Sequence, residues 1–316
     1  MVGKLTWYRA TSSIVCALMG HSKFFTKQDC LKKAIDEKNG ELIDNYEQTA
    51  YQEMGDALEG VLIKTSAKRL GMSYVNTDVT EKVEHLALKL QASLDGIGRA
   101  DGLMVEENVD KGIYLPRATK LELKGSVVFE CKTTREFPQK VEPPLYMGVL
   151  QLFSSMEICD ADYGVLCVLY NSNDLRTYVY QRDPEFAAQL KEVVEDFDRR
   201  VDEEDWYAPE TINDAYIMHE EASDEETLIL SEESVDDLDE LREVRERIAK
   251  YKALEEQIMA RVMVTMGNHS KATSKDYTLN WGMRNYKEQK ERVIPAKEAY
   301  SIRLKQPQIK VRASES

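Results

Sequence analysis

The ten residues Gly125-Ser-Val-Val-Phe-Glu-Cys-Lys-Thr-Thr134 decide the fold and raise the first hypothesis about chemistry. Their β-branched and aromatic centre predicts a buried strand. Side chains alternate across a strand, so Glu130 and Lys132 are expected on one face while Cys131 points away. A carboxylate and an ammonium at the end of a buried strand could share a site with a divalent cation and a water molecule.

The Glu-x-Lys pattern is weak on its own, because it also occurs at residues 122–124 and 288–290. For a single tripeptide of this kind, a surface ion pair is commoner than a catalytic site. Context favours Glu130, which directly follows the apolar run. The alternative at 122–124 lies in a stretch interrupted by Pro116 and Gly125.

The elements around this strand predict an α/β fold. Their order, a helix, three strands, a helix and a strand, is typical of a central mixed sheet flanked by helices. Helices are predicted from spacing at residues 51–70 and 145–158, and strands at 86–93, 102–105, 125–134 and 163–169.

Three further polar residues lie on or next to the predicted helices and strands that surround Glu130. Asp95 precedes Gly96 at a predicted strand end, Glu59 lies on the preceding helix, and Gln151 lies on the following one. An Asp-Gly pair alone usually marks a turn. Together with Glu-x-Lys the combination is more specific, and clustered carboxylates are what phosphodiester hydrolysis needs to hold divalent cations.

The charge of the chain is unevenly distributed. The 316 residues carry a formal net charge of −15, but residues 192–246 hold 23 acidic and 4 basic side chains. Residues 247–316 are basic, with 15 Lys or Arg against 7 Asp or Glu. The overall acidity therefore does not exclude a partner with phosphates, because the chain outside residues 192–246 has a net charge of +4.

Cysteine and apolar patterns suggest a reducing compartment. The five cysteines form no CxxC pair, and no stretch approaches the roughly 20 apolar residues needed to span a bilayer. We therefore expect a protein of the cytoplasm, without a structural zinc site or a membrane segment. For a viral protein this would be the host cytoplasm.

The motifs resemble those of the phage recombination exonucleases of the YqaJ and lambda exonuclease group, within the PD-(D/E)xK, restriction-endonuclease-like superfamily. Thr11-Ser-Ser13 resembles the N-terminal Thr-Ala-Ser segment of that family, and Met54-Gly-Asp-Ala-Leu-Glu59 its Gly-x-x-x-Glu helix. Asp95-Gly96 resembles its Pro-Asp-Gly motif, with Leu94 in place of proline. Glu130-Cys-Lys132 and Gln151 complete the likeness, which covers most of the chain.

The resemblance implies roles for these residues. Asp95 and Glu130 would bind Mg²⁺, for which Mn²⁺ could substitute, and the carbonyl of Cys131 would complete the shell. Glu59 would approach a second metal or orient a ligand. Lys132 would position or activate water, and Gln151 would orient water or a phosphate. Ser13, with Arg9, would meet a terminal 5′-phosphate.

The resemblance, together with the acidic composition and the residue spacing of the C-terminal part, predicts an organisation and a function. Residues 1–200 would form the restriction-endonuclease-like nuclease core and residues 201–234 an acidic linker or arm. Residues 235–316 would form an amphipathic helix and a small, basic, strand-rich unit. The expected activity is degradation of double-stranded DNA from its ends, 5′→3′, supplying 3′ single strands to an annealing protein in phage-type recombination. A ring-shaped homo-oligomer is expected by analogy.

Two alternatives remain open from the sequence. One is a structure- or site-specific endonuclease on the same core. The other is a non-catalytic protein that binds DNA ends and assembles through the helix at 235–266. An iron–sulfur nuclease of the Cas4 kind is disfavoured, because the cysteines lack the cluster spacing.

Overall fold

The computed structural model describes residues 6–41, 48–138, 141–219 and 227–280. The chain divides into two compact units, Met1–Ala222 and Ser223–Ser316. The helices are α1 Val15–Leu18, α2 Lys27–Lys38, α3 Ala50–Leu70, α4 Val149–Ile158, α5 Pro184–Glu203, α6 Ile212–Met218 and α7 Glu232–Met266. The strands are β1 Ala10–Thr11, β2 Val75–Asn76, β3 Val83–Glu84, β4 Leu90–Ala92, β5 Gly96–Glu106, β6 Ile113–Tyr114, β7 Lys120–Thr134, β8 Tyr163–Tyr170, β9 Asp174–Gln181, β10 Lys271–Thr273 and β11 Thr278–Asn280.

A six-stranded mixed sheet is the centre of the first unit, with the order β2-β5-β7-β8-β9-β6. The central strand β7 pairs antiparallel with β5 and parallel with β8, and β8 pairs antiparallel with β9. A parallel neighbour requires a crossover, which α4 provides between β7 and β8. The predicted α/β fold with a mixed sheet flanked by helices is therefore confirmed.

The two faces of this sheet bury different helices. On one face, Ile63 of α3 packs in a cluster with Phe129 and Cys131. On the other, Val128 belongs to a cluster that contains α4 and α5, including the fully buried Phe197. Alternate residues of β7 are therefore buried against opposite layers, as expected for a strand covered on both sides.

The strand predicted at residues 86–93 is wrong in extent. Within these residues only β4 forms, in a separate three-stranded sheet with β1 and β3, and Leu86 is fully exposed. The strand predicted at 102–105 is part of the much longer β5, which begins at Gly96. The sequence interpretation also missed β9 and α5.

The predicted acidic linker at residues 201–234 needs a correction, because its first part belongs to the first unit. Val201 on α5 is buried, and Trp206 and Tyr207 pack against the core. Asp214 on α6 is buried as well, and accepts a 2.7 Å hydrogen bond from Oγ1 of Thr26 at the start of α2. The start of the predicted linker is thus packed structure, and Asp202 and Glu203 at the end of α5 are exposed.

The second unit contains α7 and the hairpin of β10 and β11. The amphipathic helix predicted at 235–266 is confirmed, with Gly267 at its C-cap. Most of the predicted basic, strand-rich segment, residues 281–316, lies outside the described residues. Among the helices that the structure describes, none has the length and apolar character needed to cross a membrane.

Candidate active site

The alternation of β7 brings Glu130 and Lys132 together on the face covered by α4. Nζ of Lys132 lies 2.5 Å from Oε1 of Glu130. Glu130 is 1% exposed, while about a third of the Lys132 side chain remains accessible. Cys131 points to the opposite face, into the cluster beside α3. The carboxylate is thus buried, whereas the lysine side chain next to it is partly exposed.

Asp95 reaches the same place because β5 and β7 differ in length. Their pairing ends at Gly96 opposite Phe129, and β7 continues for five more residues. Asp95, directly before β5, accepts a 2.8 Å hydrogen bond from the backbone N–H of Cys131. The N–H and C=O of one strand residue point to the same side of the strand, so the Cys131 carbonyl faces the side of Asp95.

The three carboxyl groups of the site influence one another. Burial, followed by the charges of Asp95 and Asp56, raises the pKa of Glu59 to about 7. Burial and the charge of Asp95 raise the pKa of Glu130 to about 8, although Lys132 opposes this. Burial also raises the pKa of Asp95, against Lys132, the Cys131 N–H and a hydrogen bond with Glu130.

Lys132 stays charged in this environment. Burial alone would lower the pKa of its ammonium, but the carboxylates of Glu130 and Asp95 raise it overall. The charge of Lys132 also limits the rise in the pKa of Glu59 on α3. The site therefore combines three carboxyl groups, each with a raised pKa, with one fixed positive charge.

Gly148 is a residue of this site that the sequence analysis missed. It caps the N-terminus of α4 with φ 95°, and a Cβ on it would lie 3.1 Å from both Cγ and Cε of Lys132. A side chain would therefore be strained and would push on the catalytic candidate. The signal available in the sequence was a glycine inside the helix predicted at 145–158, where glycine is unfavourable and indicates a later helix start. Gln151 lies in the first turn of the same helix and is half-buried.

The expected phosphate-binding residues lie at the N-terminal segment. β1 runs parallel to β4, so Ser13 and Asp95 both follow their strands in the same direction. Ser13 is exposed, with its Oγ 2.9 Å from Oγ1 of Thr11. Arg9 is engaged by Glu84, at 3.1 Å. The 5′-phosphate role of Ser13 and Arg9 stays a prediction.

The competing Glu-x-Lys pattern on the same strand makes an instructive contrast. Glu122 and Lys124 form an ion pair at 3.0 Å, with 47% and 64% of their side chains exposed. This is the surface ion pair that the sequence analysis set against the catalytic interpretation. The third occurrence, at residues 288–290, lies outside the described residues.

The donors at the site suit a small, hard cation. Within the described ranges, no group of three His, Cys, Asp or Glu side chains converges into a ready-made metal cage. Mg²⁺ does not require one, because it is typically held by one or two carboxylates, water and substrate phosphates. Asp95, Glu130 and the Cys131 carbonyl offer such a partial shell. Crowded carboxyl groups with raised pKa values are also what a cation would relieve.

Comparison with known proteins places similar folds among exonucleases. No protein-family model matches the sequence, and no curated protein sequence is significantly similar to it. An alkaline exonuclease from Laribacter hongkongensis is 15% identical, with a TM-score of 0.45, over 63% of this chain and 90% of that one. A phage-related exonuclease from Haemophilus somnus 129PT is 14% identical, with a TM-score of 0.40, over 62% of this chain and 94% of that one.

Both of these structures have TM-scores below 0.5 with this chain. At such identities and TM-scores they assign no role to any single residue. The case for function therefore rests on the geometry around Glu130.

Proposed function

We propose that this chain is a Mg²⁺-dependent deoxyribonuclease that degrades linear double-stranded DNA from its ends. The observation that carries the proposal is the meeting of Asp95, Glu130 and Lys132 where β7 extends past the start of β5. Asp95 and Lys132 are separated by 37 positions in sequence. A surface ion pair alone gives no reason for a buried carboxylate next to a second, half-buried one at that point.

Each residue has a task in this proposal. Asp95, Glu130 and the carbonyl of Cys131 would hold Mg²⁺, and Glu59 would add a carboxylate to a second ion or to bound water. The ion, when bound, offsets phosphate charge and lowers the pKa of attacking water. Lys132 donates to the scissile phosphate or to that water, and its charge offsets the negative charge that develops during attack. Gln151 would orient the same ligands from α4.

The proposal extends to polarity and partners. We propose 5′→3′ degradation that leaves a 3′ single strand, which an annealing protein would take up in recombination. We also propose that the chain self-associates through α7. Val244, Ile248 and Tyr251 on this helix recur at coiled-coil spacing and are each at least 40% exposed. Mn²⁺ is expected to replace Mg²⁺.

The decisive experiment compares wild type with Glu130→Gln on end-labelled linear duplex and on closed circular DNA, with Mg²⁺. Glu122→Gln is the matched control, because it changes the same residue type on the same strand in an exposed ion pair. Wild type and Glu122→Gln should shorten the linear duplex from the 5′ end. Glu130→Gln should lose at least about two orders of magnitude in rate, as expected for removal of a group that stabilises charge at the reacting atoms.

The outcomes separate the alternatives. Cutting of the closed circle would indicate an endonuclease on the same core. A DNA-end activity that survives both EDTA and Lys132→Ala would indicate a non-catalytic binding protein. Equal cleavage by Glu130→Gln and Glu122→Gln would refute the assignment of the site.

A further inference from the structure

A cavity of about 690 Å³ opens just beyond the end of β7. Tyr170, which lines it, is paired in register with Thr134, and Met147, which also lines it, directly precedes Gly148 at the Lys132 side chain. Residues opposite each other in a ladder share a face, so the cavity lies on the face of Lys132. A strand rises about 3.3 Å per residue, which puts Thr134 about 7 Å beyond Lys132. One DNA strand could therefore occupy both places.

The walls of the cavity are largely aromatic and apolar. Phe137 lies at the wall with 69% of its surface exposed. Tyr146 also lines the cavity, and Lys23 holds its ring in place. Nζ of Lys23 lies 3.8 Å from the ring centroid and donates a 2.6 Å hydrogen bond to the hydroxyl of Tyr146. An exposed phenylalanine beside a fixed tyrosine offers flat apolar surface for another ring.

The charges in the cavity balance. Lys23 lies 3.4 Å from Glu136, and Nε of Arg117 lies 3.7 Å from Glu142. Arg117 is further engaged by Asp183, at 2.6 Å. A phosphate would therefore gain little from entering. The ligand that fits is flat and uncharged, with a polar edge that can donate hydrogen bonds to the carboxylate of Glu142.

The carboxylate of Glu142 at the cavity is only loosely paired. Its Oε1 accepts no hydrogen bond from the residues that the structure describes, and Nε of Arg117 lies 3.7 Å from it. Because 41% of the Glu142 side chain is exposed, a ligand that brings N–H donors can reach the carboxylate. Nucleobase edges carry such groups, and carboxylates accept hydrogen bonds from them.

We propose that this cavity, the aromatic cavity, holds an unpaired nucleobase of the DNA strand whose backbone lies at Lys132. The inference rests on the proposed nuclease function for its choice of ligand, and it adds a base-binding subsite to the metal site. Only an unpaired base could enter, because a paired base is held in the duplex.

The test removes the two partners of the proposed contact separately: the base from the DNA and the aromatic ring of Phe137 from the protein. Partial duplexes with a short unpaired end are prepared with normal nucleotides, or with one nucleotide at a time made abasic. Their binding is measured by fluorescence anisotropy in a Glu130→Gln background, designed to prevent cleavage. The protein variants are Phe137→Ala and, as the matched control, Tyr74→Ala, another exposed aromatic residue of the first unit, which lies away from the cavity lining. Thermal melts confirm that both fold.

The expected result is a thermodynamic cycle with a large coupling. In the Glu130→Gln parent and in Tyr74→Ala, loss of one particular base should weaken binding about 10-fold, equivalent to about 1.4 kcal/mol. In Phe137→Ala the same loss should change affinity less than about 2-fold, because the ring that stacks on the base is already gone. A folding defect or lost phosphate contact would affect normal and abasic ends alike.

Other outcomes overturn the proposal or separate it from the nuclease assignment. If base removal costs as much in Phe137→Ala as in Tyr74→Ala, or costs nothing in either, the cavity does not hold a base. The latter result is also expected if the cavity binds a peptide. Cleavage by the otherwise wild-type chain is measured in parallel: cleavage without the coupling refutes the subsite alone. Coupling without cleavage refutes the nuclease alone.

Discussion

Replacement of Glu130 by glutamine should stabilise the fold at alkaline pH while it abolishes the proposed activity. The pKa of Glu130 is raised from its ordinary value of 4.5 to about 8. Between these pH values the folded state binds a proton that the unfolded state has released, so the free energy of unfolding falls as pH rises through this window. Glutamine keeps the shape and removes the charge. The variant is therefore freed from a penalty that wild type has above pH 8.

The size of this effect follows from the shift. At 1.36 kcal/mol per pKa unit, the full penalty is about 5 kcal/mol, which is an upper limit. Lys132 loses its partner at 2.5 Å in the variant, which offsets part of the gain. We expect a net gain of about 1–2 kcal/mol at pH 9, or a few degrees in Tm. At pH 4.5 the gain should vanish, because the carboxyl group is then protonated in the folded state.

The assay is urea unfolding followed by circular dichroism at pH 4.5, 7 and 9, with EDTA present. Glu122→Gln is measured beside it, since its exposed ion pair with Lys124 should contribute at most a few tenths of a kcal/mol at any pH. The reasoning is refuted if Glu130→Gln is less stable than wild type at pH 9, or if the two variants show the same pH dependence.

Three further outcomes are expected. Gly148→Ala should lower kcat about 10-fold or more with a smaller effect on KM, because a Cβ would press on Lys132 from a backbone with φ 95°; unchanged steady-state kinetics would contradict this. The Mg²⁺ concentration for half-maximal rate should fall as pH rises from 6.5 to 8.5, because Glu59 and Glu130 must lose protons to bind the ion, and a flat profile in a metal titration would argue against them as ligands. Ile248→Lys on α7 should shift the mass measured by light scattering towards the monomer, whereas an unchanged mass would exclude this helix face from assembly.

Local signals in the sequence mark the ends of several helices. α2 begins after a capping box formed by Thr26 and Asp29, and α3 ends at Gly71 in the left-handed conformation. Both ends are encoded by residues within one turn of the boundary, so no knowledge of the rest of the fold is required. The predicted amphipathic helix of the second unit was confirmed for the same reason.

Composition misled the interpretation of α5. The helix reads as part of an acidic region when charges are counted along the chain, yet Phe186, Leu190, Val194, Phe197 and Val201 recur at three- and four-residue spacing and are all buried. Charge counted over a window averages the two faces of a helix. Periodicity keeps them apart, and it is periodicity that determines whether a helix packs.

The strand at residues 86–93 failed for a different reason. Alternating apolar and polar residues favour a strand only where a neighbour supplies the ladder, and here the neighbours are the two-residue strands β1 and β3. The alternation therefore continues into the exposed Leu86 without forming a strand. A period of two is necessary for a half-buried strand, but tertiary pairing decides where it ends.

The contrast between two Glu-x-Lys patterns on β7 shows what makes one of them a candidate site. Strand alternation puts acid and base on one face in both, and this much was predictable. At Glu122 the neighbouring strand β5 continues, with Met104 opposite, and the pair faces solvent. At Glu130 the pairing has just ended, and Asp95 fills the place of the next strand residue by hydrogen bonding to the Cys131 N–H. The chemistry therefore depends on where β5 begins relative to β7, a long-range register that no local pattern encodes.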